Sequence, residues 1–191
     1  NYTNIADKFD KPADKLRVIF ARRLFDYRGT RVFTNAIKRI LDEGYDINVT
    51  VAGSGPDENW MHEQLDSYIS VSFIKYQSHE SLDIHKDKHI AVVPTIGSEG
   101  TSLSLLEAMS AQCAVVCTNV GGMTNIVLDG HNGLIVNSGS VDQLYEAIKR
   151  LLDDEALRIK LSNNAYQSVI DSFSYEKWAE QWKKLLTEII C

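Results

Sequence analysis

Four arginines, Arg22, Arg23, Arg28 and Arg31, fall within ten residues of a chain in which 26 Asp and Glu outnumber 20 Lys and Arg. Guanidinium forks pair with phosphate oxygens two bonds at a time, and each charged hydrogen bond contributes about 1.5 to 3 kcal/mol. A solvated basic face would use the same residues, and strand alternation would send Arg22 and Arg23 to opposite sides, leaving one of them for a cleft. Further on, EGTSLSLLEAM at 99–109 places Glu99 and Gly100 before a helix expected to begin at Thr101 or Ser102. Free amides and the positive end of the helix dipole suit a diphosphate. Glu107 lies eight residues beyond Glu99. At helical rise that is about 12 Å, similar to the span from a sugar ring to a ribose across a pyrophosphate. Glu107 also sits among Leu103, Leu105, Leu106, Ala108 and Met109, where an unpaired charge is costly, so it requires a partner.

The GSGP run at 53–56 offers Gly53 and Gly55 where the backbone turns sharply or lets a ligand approach. It lacks the third glycine of a dinucleotide fingerprint, and a plain tight turn fits as well as a binding loop. The histidines, His62, His79, His85, His89 and His131, form no recognisable metal-ligand pattern, Asp153 and Asp154 form no credible dyad, and no metal is expected.

These residues need a scaffold that gathers them, and the periodicity supplies one. From Leu16, short β-branched runs alternate with amphipathic segments: LRVIFA (16–21), DINVTVA (46–52), SVSFI (70–74), HIAVVP (89–94), AVVCT (114–118) and GLIV (133–136) read as strands. Helices are expected at 30–44, 57–68, 80–87 and 101–111 between them, and three more in succession over 140–190. Mostly continuous apolar strands are buried on both faces, which predicts an α/β fold with a doubly wound parallel sheet. The loops after such strands collect along one sheet edge, where these folds bind ligands. Here they are RRLFDYRG, GSGP, KYQSHES, TIGSEG and NVGG.

The 191 residues suffice for one core that buries roughly 70% of the unfolded surface. Three cysteines cannot build a disulfide framework. A net charge of -6 argues against a nucleic-acid partner. The absence of a long apolar run argues against a spanning helix. Residues 1–15 read as a linker and 16–191 as one domain, and a chain opening on Asn1 is expected of a piece of something longer.

The two glutamates resemble the E-x7-E element of the retaining glycosyltransferases of group 1 (glycosyltransferase family 4), enzymes of the two-domain GT-B fold. ARRLFDYRG, VAGSGP, PTIGSEGTSLSLLEAM, VVCTNVGGMTNIVLDGHNGLIV and a terminal segment opening SFSYEKW occur in that family's order over roughly residues 16 to 190, the length of its carboxy-terminal, Rossmann-like, nucleotide-sugar-binding domain. The resemblance implies that Arg23 and Arg28 contact the donor diphosphate, Glu107 the ribose, and Glu99 the transferred sugar. It faces the amides of Gly100, Thr101 and Ser102 to sugar and phosphate, and places the base near Lys75 and Tyr76. Stacking on the base and ordinary surface packing both remain open for Tyr76. Arg28 stands where the family usually has lysine, Lys75 and Gln112 where it usually has glycine, Ala114 where it usually has proline, and Asn125 where it usually has glutamate.

The resemblance further implies a nucleoside diphosphate sugar as donor, a UDP-sugar being expected, with no separate cofactor, and a glycan or lipid-linked acceptor held by an amino-terminal domain. Few cysteines, read as buried thiols, and an amino terminus without an apolar signal region point to a cytoplasmic enzyme, peripheral at the membrane at most. The isolated domain is expected to bind donor and transfer little. The apolar stripe Trp178, Trp182, Leu185, Leu186, Ile189 and Ile190 is then expected to face that second domain in part. Two other readings use the same residues: a nucleotide-sugar epimerase on the same two-domain plan, and a non-catalytic nucleotide-binding module.

Overall fold

The computed structural model describes residues 2–6 and 10–190, and the side chain of Ile190 and all of Cys191 lie outside it. Six strands, β1 (Leu16–Ala21), β2 (Ile47–Ala52), β3 (Val71–Ile74), β4 (Ile90–Val93), β5 (Ala114–Thr118) and β6 (Leu134–Val136), form one sheet in the order β3-β2-β1-β4-β5-β6. All five pairings are parallel. Strand order reverses between β1 and β4, so the chain leaves β1 toward one side of the sheet and β4 toward the other. This is the Rossmann-like doubly wound arrangement, with its crevice at the carboxyl ends of those two strands.

Among the described residues there are seven helices, α1 (Thr30–Asp42), α2 (Glu58–Leu65), α3 (Asp83–Lys86), α4 (Leu103–Ser110), α5 (Val141–Asp153), α6 (Glu155–Ser172) and α7 (Tyr175–Ile190), and all but α7 pack around the sheet. Alternation along β1 divides the core. Val18 and Phe20 pack with Phe33, Ile37 and Ile40 of α1, Met61 of α2 and Ile148 of α5. Ile19 and Ala21 pack with Leu105 and Met109 of α4 and Ala165 and Val169 of α6. The expected short helix over 80–87 is split into a 3-10 turn, Ser78–Glu80, and the single turn of α3. Strand β3 is half-buried rather than enclosed because it lies at the sheet edge.

The described part of the segment before β1 lies along the domain. Thr3 pairs with Ser174, the Ala6 amide donates to Ser110 Oγ at 2.8 Å, and Lys11 Nζ donates to the Gln112 carbonyl, also at 2.8 Å. Tyr2 packs on Trp178 with ring centroids 4.6 Å apart. Beyond that contact α7 projects: Trp182, Leu185 and Leu186 are each 49% exposed and Ile189 is 78% exposed.

Candidate functional site

Thirteen residues line a hollow of about 450 Å³ at the reversal point, among them Arg22, Arg23, Arg28, Tyr76, Ser81, Glu99, Thr101, Ser102 and Glu107. The arginines come from the loop after β1, Tyr76 and Ser81 from the chain after β3, and the glutamates from the loop after β4 and from α4. Elements distant in sequence thus meet because parallel strands deliver their carboxyl ends to one edge.

Arg22 and Arg23 both reach this hollow. Strand alternation does not govern them, because β1 ends at Ala21 and the chain bends at Arg22. Arg22 is buried, 7% exposed, and its guanidinium donates to Thr95 Oγ1 and Glu99 Oε2. Arg28, from a 3-10 turn closed by Gly29, donates to the same Glu99 oxygen. Thr95 Oγ1 donates a third bond to it at 3.2 Å. Burial opposes ionisation of Glu99, but Arg22 and then Arg28 outweigh it and hold the carboxyl below the usual glutamate range. Burial likewise lowers the pKa of Arg22, against the pull of Glu99, and a guanidinium remains charged at neutral pH all the same. Arg23 is exposed, and no ion pair or side-chain hydrogen bond engages it among the described residues. Arg31, the fourth arginine, lies elsewhere, with its guanidinium 4.6 Å from the Trp60 ring centroid.

Helix α4 starts at Leu103, with Ser102 as an N-cap in extended conformation whose side chain caps nothing. Glu99 therefore precedes the helix by four residues, and the reckoning of about 12 Å at helical rise does not carry across that loop. The first-turn amides of α4 have no partner within the helix. Glu107, on the second turn, accepts a 2.8 Å hydrogen bond from Ser81 Oγ, the partner its apolar neighbours call for. Burial pushes its carboxyl above the usual range, with the Ser81 bond opposing. Tyr76 is also raised, by burial first and then by the Glu107 charge.

Four expected residues stand back from the hollow. Gly53, at φ 142°, packs its Cα against the loop after β1, where a Cβ would lie 1.9 Å from the Arg22 carbonyl oxygen. A Cβ on Gly55 would lie 2.3 Å from the carbonyl of Leu24. GSGP therefore buttresses the arginine loop, aided by the Leu24 amide donating to the Ser54 carbonyl at 2.9 Å. Lys75 pairs with Glu58 at 2.9 Å and shares a separate hollow of about 260 Å³ with Gly53, His62 and Phe73. Gly100 is absent from the wall residues, although its neighbours Glu99 and Thr101 are on it.

Sequence reasoning passed over Thr95, Ser81 and Gly121. Gly121, at φ 54°, lies so close to the glutamate loop that a Cβ would sit 1.9 Å from the Glu99 carbonyl oxygen, and the Gly122 amide donates to that oxygen at 3.2 Å. The available signal was the double glycine after β5. Among the described residues no group of three or more His, Cys, Asp or Glu could hold a metal ion, and no helix is long and apolar enough to cross a membrane.

Against known proteins, residues 1–168 match the family model described as glycosyl transferases group 1. The capsular polysaccharide biosynthesis glycosyltransferase CapM of Staphylococcus aureus is 28% identical over 165 residues, covering 84% of this chain and 43% of CapM. The solved carboxy-terminal domain of a group 1 glycosyl transferase, LpcC from Francisella tularensis, superposes with a TM-score of 0.76 at 27% identity, covering 86% of this chain and 89% of that one. HepE of Anabaena, solved in complex with UDP, shares the fold with a TM-score of 0.80 at 18% identity, over 92% of this chain and 50% of HepE. The chain spans less than half the length of the first curated relatives it matches.

Proposed function

The chain belongs to the glycosyl transferases of group 1, and on that premise we propose that it is the donor-binding half of a retaining enzyme of glycosyltransferase family 4 type that takes its sugar from a UDP-sugar. The observation that carries this reading is the meeting of Arg23, Arg28, Glu99 and Glu107 in one hollow at the strand-order reversal. In this assignment Arg23 and Arg28 take the diphosphate with the first-turn amides of α4, Glu107 takes the ribose hydroxyls and Glu99 the sugar hydroxyls. Tyr76 borders the base, and Lys75 lies in the neighbouring hollow, paired with Glu58.

The chemistry asked of these groups is electrostatic. The bond from the anomeric carbon to the phosphate oxygen breaks and its electron pair stays on the diphosphate. The acceptor oxygen bonds to the same face of the sugar and passes its proton to the departing phosphate oxygen. Arginines and helix-end amides fixed around the growing charge stabilise that transition state, and each such donor contributes roughly 10² to 10³ in rate. The acceptor, a glycan or lipid-linked sugar, belongs in this reading to a further domain of a cytoplasmic enzyme. CapM's assignment to capsular polysaccharide biosynthesis supports a glycan acceptor, and the exposed stripe of α7 is the surface such a domain would cover. The chain by itself is then expected to bind donor without turning it over at the rate of a two-domain enzyme.

Titration of this chain with UDP, GDP and ADP tests the assignment. Saturable binding with a preference for UDP supports it, whereas the lack of saturable binding for all three removes it.

A further inference from the structure

Glu99 Oε2 accepts from Arg22, Arg28 and Thr95 together, and the two guanidiniums that hold it differ in their surroundings. The Arg22 side chain is 5% exposed and also bonded to Thr95, whose own side chain is fully buried. Separating Arg22 from Glu99 would leave a buried charge unpaired, which is strongly unfavourable. The Arg28 side chain is 24% exposed, lines the hollow and rests 5.1 Å from the Tyr27 ring centroid. Its bond to Glu99 is the one that an anion arriving from solvent can replace, because water and the incoming anion both compensate it.

We propose that Glu99 is the built-in counter-anion of Arg28, and that a diphosphate entering the hollow takes Arg28 from it while Arg22 keeps Glu99 in place. Arg22 is thus a positioning residue that acts through Glu99. A diphosphate carries more charge than a carboxylate and accepts a guanidinium fork in two parallel bonds, so it wins an exchange that a monovalent anion loses. Arg23 has no partner of its own among the described residues and engages the same diphosphate without an exchange. Once Arg28 has moved, the Glu99 carboxylate is short of one donor and stands ready to accept hydrogen bonds from hydroxyl groups. The Arg22–Thr95–Glu99 contacts bridge the loops after β1 and β4, so the carboxylate stays in position through the exchange. This inference rests on the reading of the hollow as a diphosphate site given above.

Inorganic pyrophosphate, titrated calorimetrically into this chain, tests the exchange without a nucleoside or sugar. Glu99→Gln releases Arg28 and is expected to tighten pyrophosphate binding at least fivefold, and adding Arg28→Gln to that variant should erase the gain. Arg22→Met should alter pyrophosphate affinity in the parent chain but not in Glu99→Gln. Equal weakening in both backgrounds would make Arg22 a phosphate ligand and overturn its positioning role. Unchanged or weaker binding by Glu99→Gln overturns the counter-anion, as does a lack of pyrophosphate binding in parent and variant alike. A readout on the parent chain is independent of how any variant folds: the carbon-13 titration midpoint of the Glu99 carboxyl should rise on saturation with pyrophosphate, and a fixed midpoint contradicts the exchange. If pyrophosphate behaves as described while UDP fails to bind, the exchange stands and the transferase reading falls.

Discussion

Ser81 Oγ donates a 2.8 Å hydrogen bond to Glu107 Oε1, tying the chain just before α3 to the middle of α4. The bond supplies one donor to a carboxylate that burial pushes above its ordinary range. The folded state therefore holds the Glu107 proton more tightly than the unfolded chain does. Between the ordinary glutamate pKa and the raised folded one, the folded state binds more protons, so this group's contribution to stability falls as pH rises. Glu107→Gln is expected to be more stable than the parent at pH 7, with an advantage that shrinks toward pH 4, measured by thermal unfolding across that range. On the proposed role of Glu107 as acceptor for the ribose hydroxyls, the same substitution should cost about 10- to 100-fold in nucleoside diphosphate affinity.

Gly121 is held against the Glu99 carbonyl by a backbone that only glycine adopts comfortably. Gly121→Ala should push the glutamate loop away and weaken nucleoside diphosphate binding at least tenfold, with a far-ultraviolet circular dichroism spectrum matching the parent. Parent-like affinity would show that the loop position is immaterial.

The end of α4 can be improved. Cys113 N–H donates to the Ala108 carbonyl at 2.9 Å and Gln112 N–H to that of Met109 at 3.1 Å, a Schellman closure that requires a left-handed residue at position 112. Gln112 occupies it at φ 56°, the one non-glycine residue with positive φ among those described. Gln112→Gly should relieve that strain and stabilise the fold by about 1 kcal/mol. The melting temperature should rise by roughly 2 to 4 °C, as calorimetry would read. An unchanged or lower value would mean that the lost side chain contributes more than the strain costs.

His85 is 1% exposed and its Nδ1 lies 2.6 Å from the Ser81 carbonyl oxygen. Burial first, with Lys11 and Lys88 adding to it and the Ser81 contact opposing, takes its pKa down to about 4. The unfolded chain gains a proton near pH 6.5 that the folded one refuses until about pH 4, so stability is lost as pH falls through that window. The loss attributable to His85 is about 3 kcal/mol by pH 4. His85→Gln should flatten the acid limb of the stability curve, and an unaltered limb would rule this histidine out as its source.

The strands and the major helices were legible because β-branched runs and amphipathic periodicity are local properties, and the strand-end loops were legible as a group because a parallel sheet leaves them no other edge. What sequence could not give was contact across the strand-order reversal. The buried bridge from Arg22 to Thr95 and Glu99 joins residues more than 70 positions apart, and alternation misled because it was applied past the last strand residue. Gly53 and Gly55 read equally well as a turn or a ligand loop, and the backbone behind the arginines decides for buttressing. Lys75 follows β3 as Tyr76 does, yet the edge strand turns it toward Glu58 and away from the hollow.

The most direct test of the grip at both ends compares UDP titrations of the parent chain, Arg28→Ala and Glu107→Gln with Arg31→Ala, whose guanidinium lies on Trp60 outside the hollow. If Arg28 takes the diphosphate and Glu107 the ribose as proposed, each should account for about 1 to 3 kcal/mol of binding, while Arg31→Ala stays at parent affinity. Parent-like binding by both Arg28→Ala and Glu107→Gln would contradict the account at its centre.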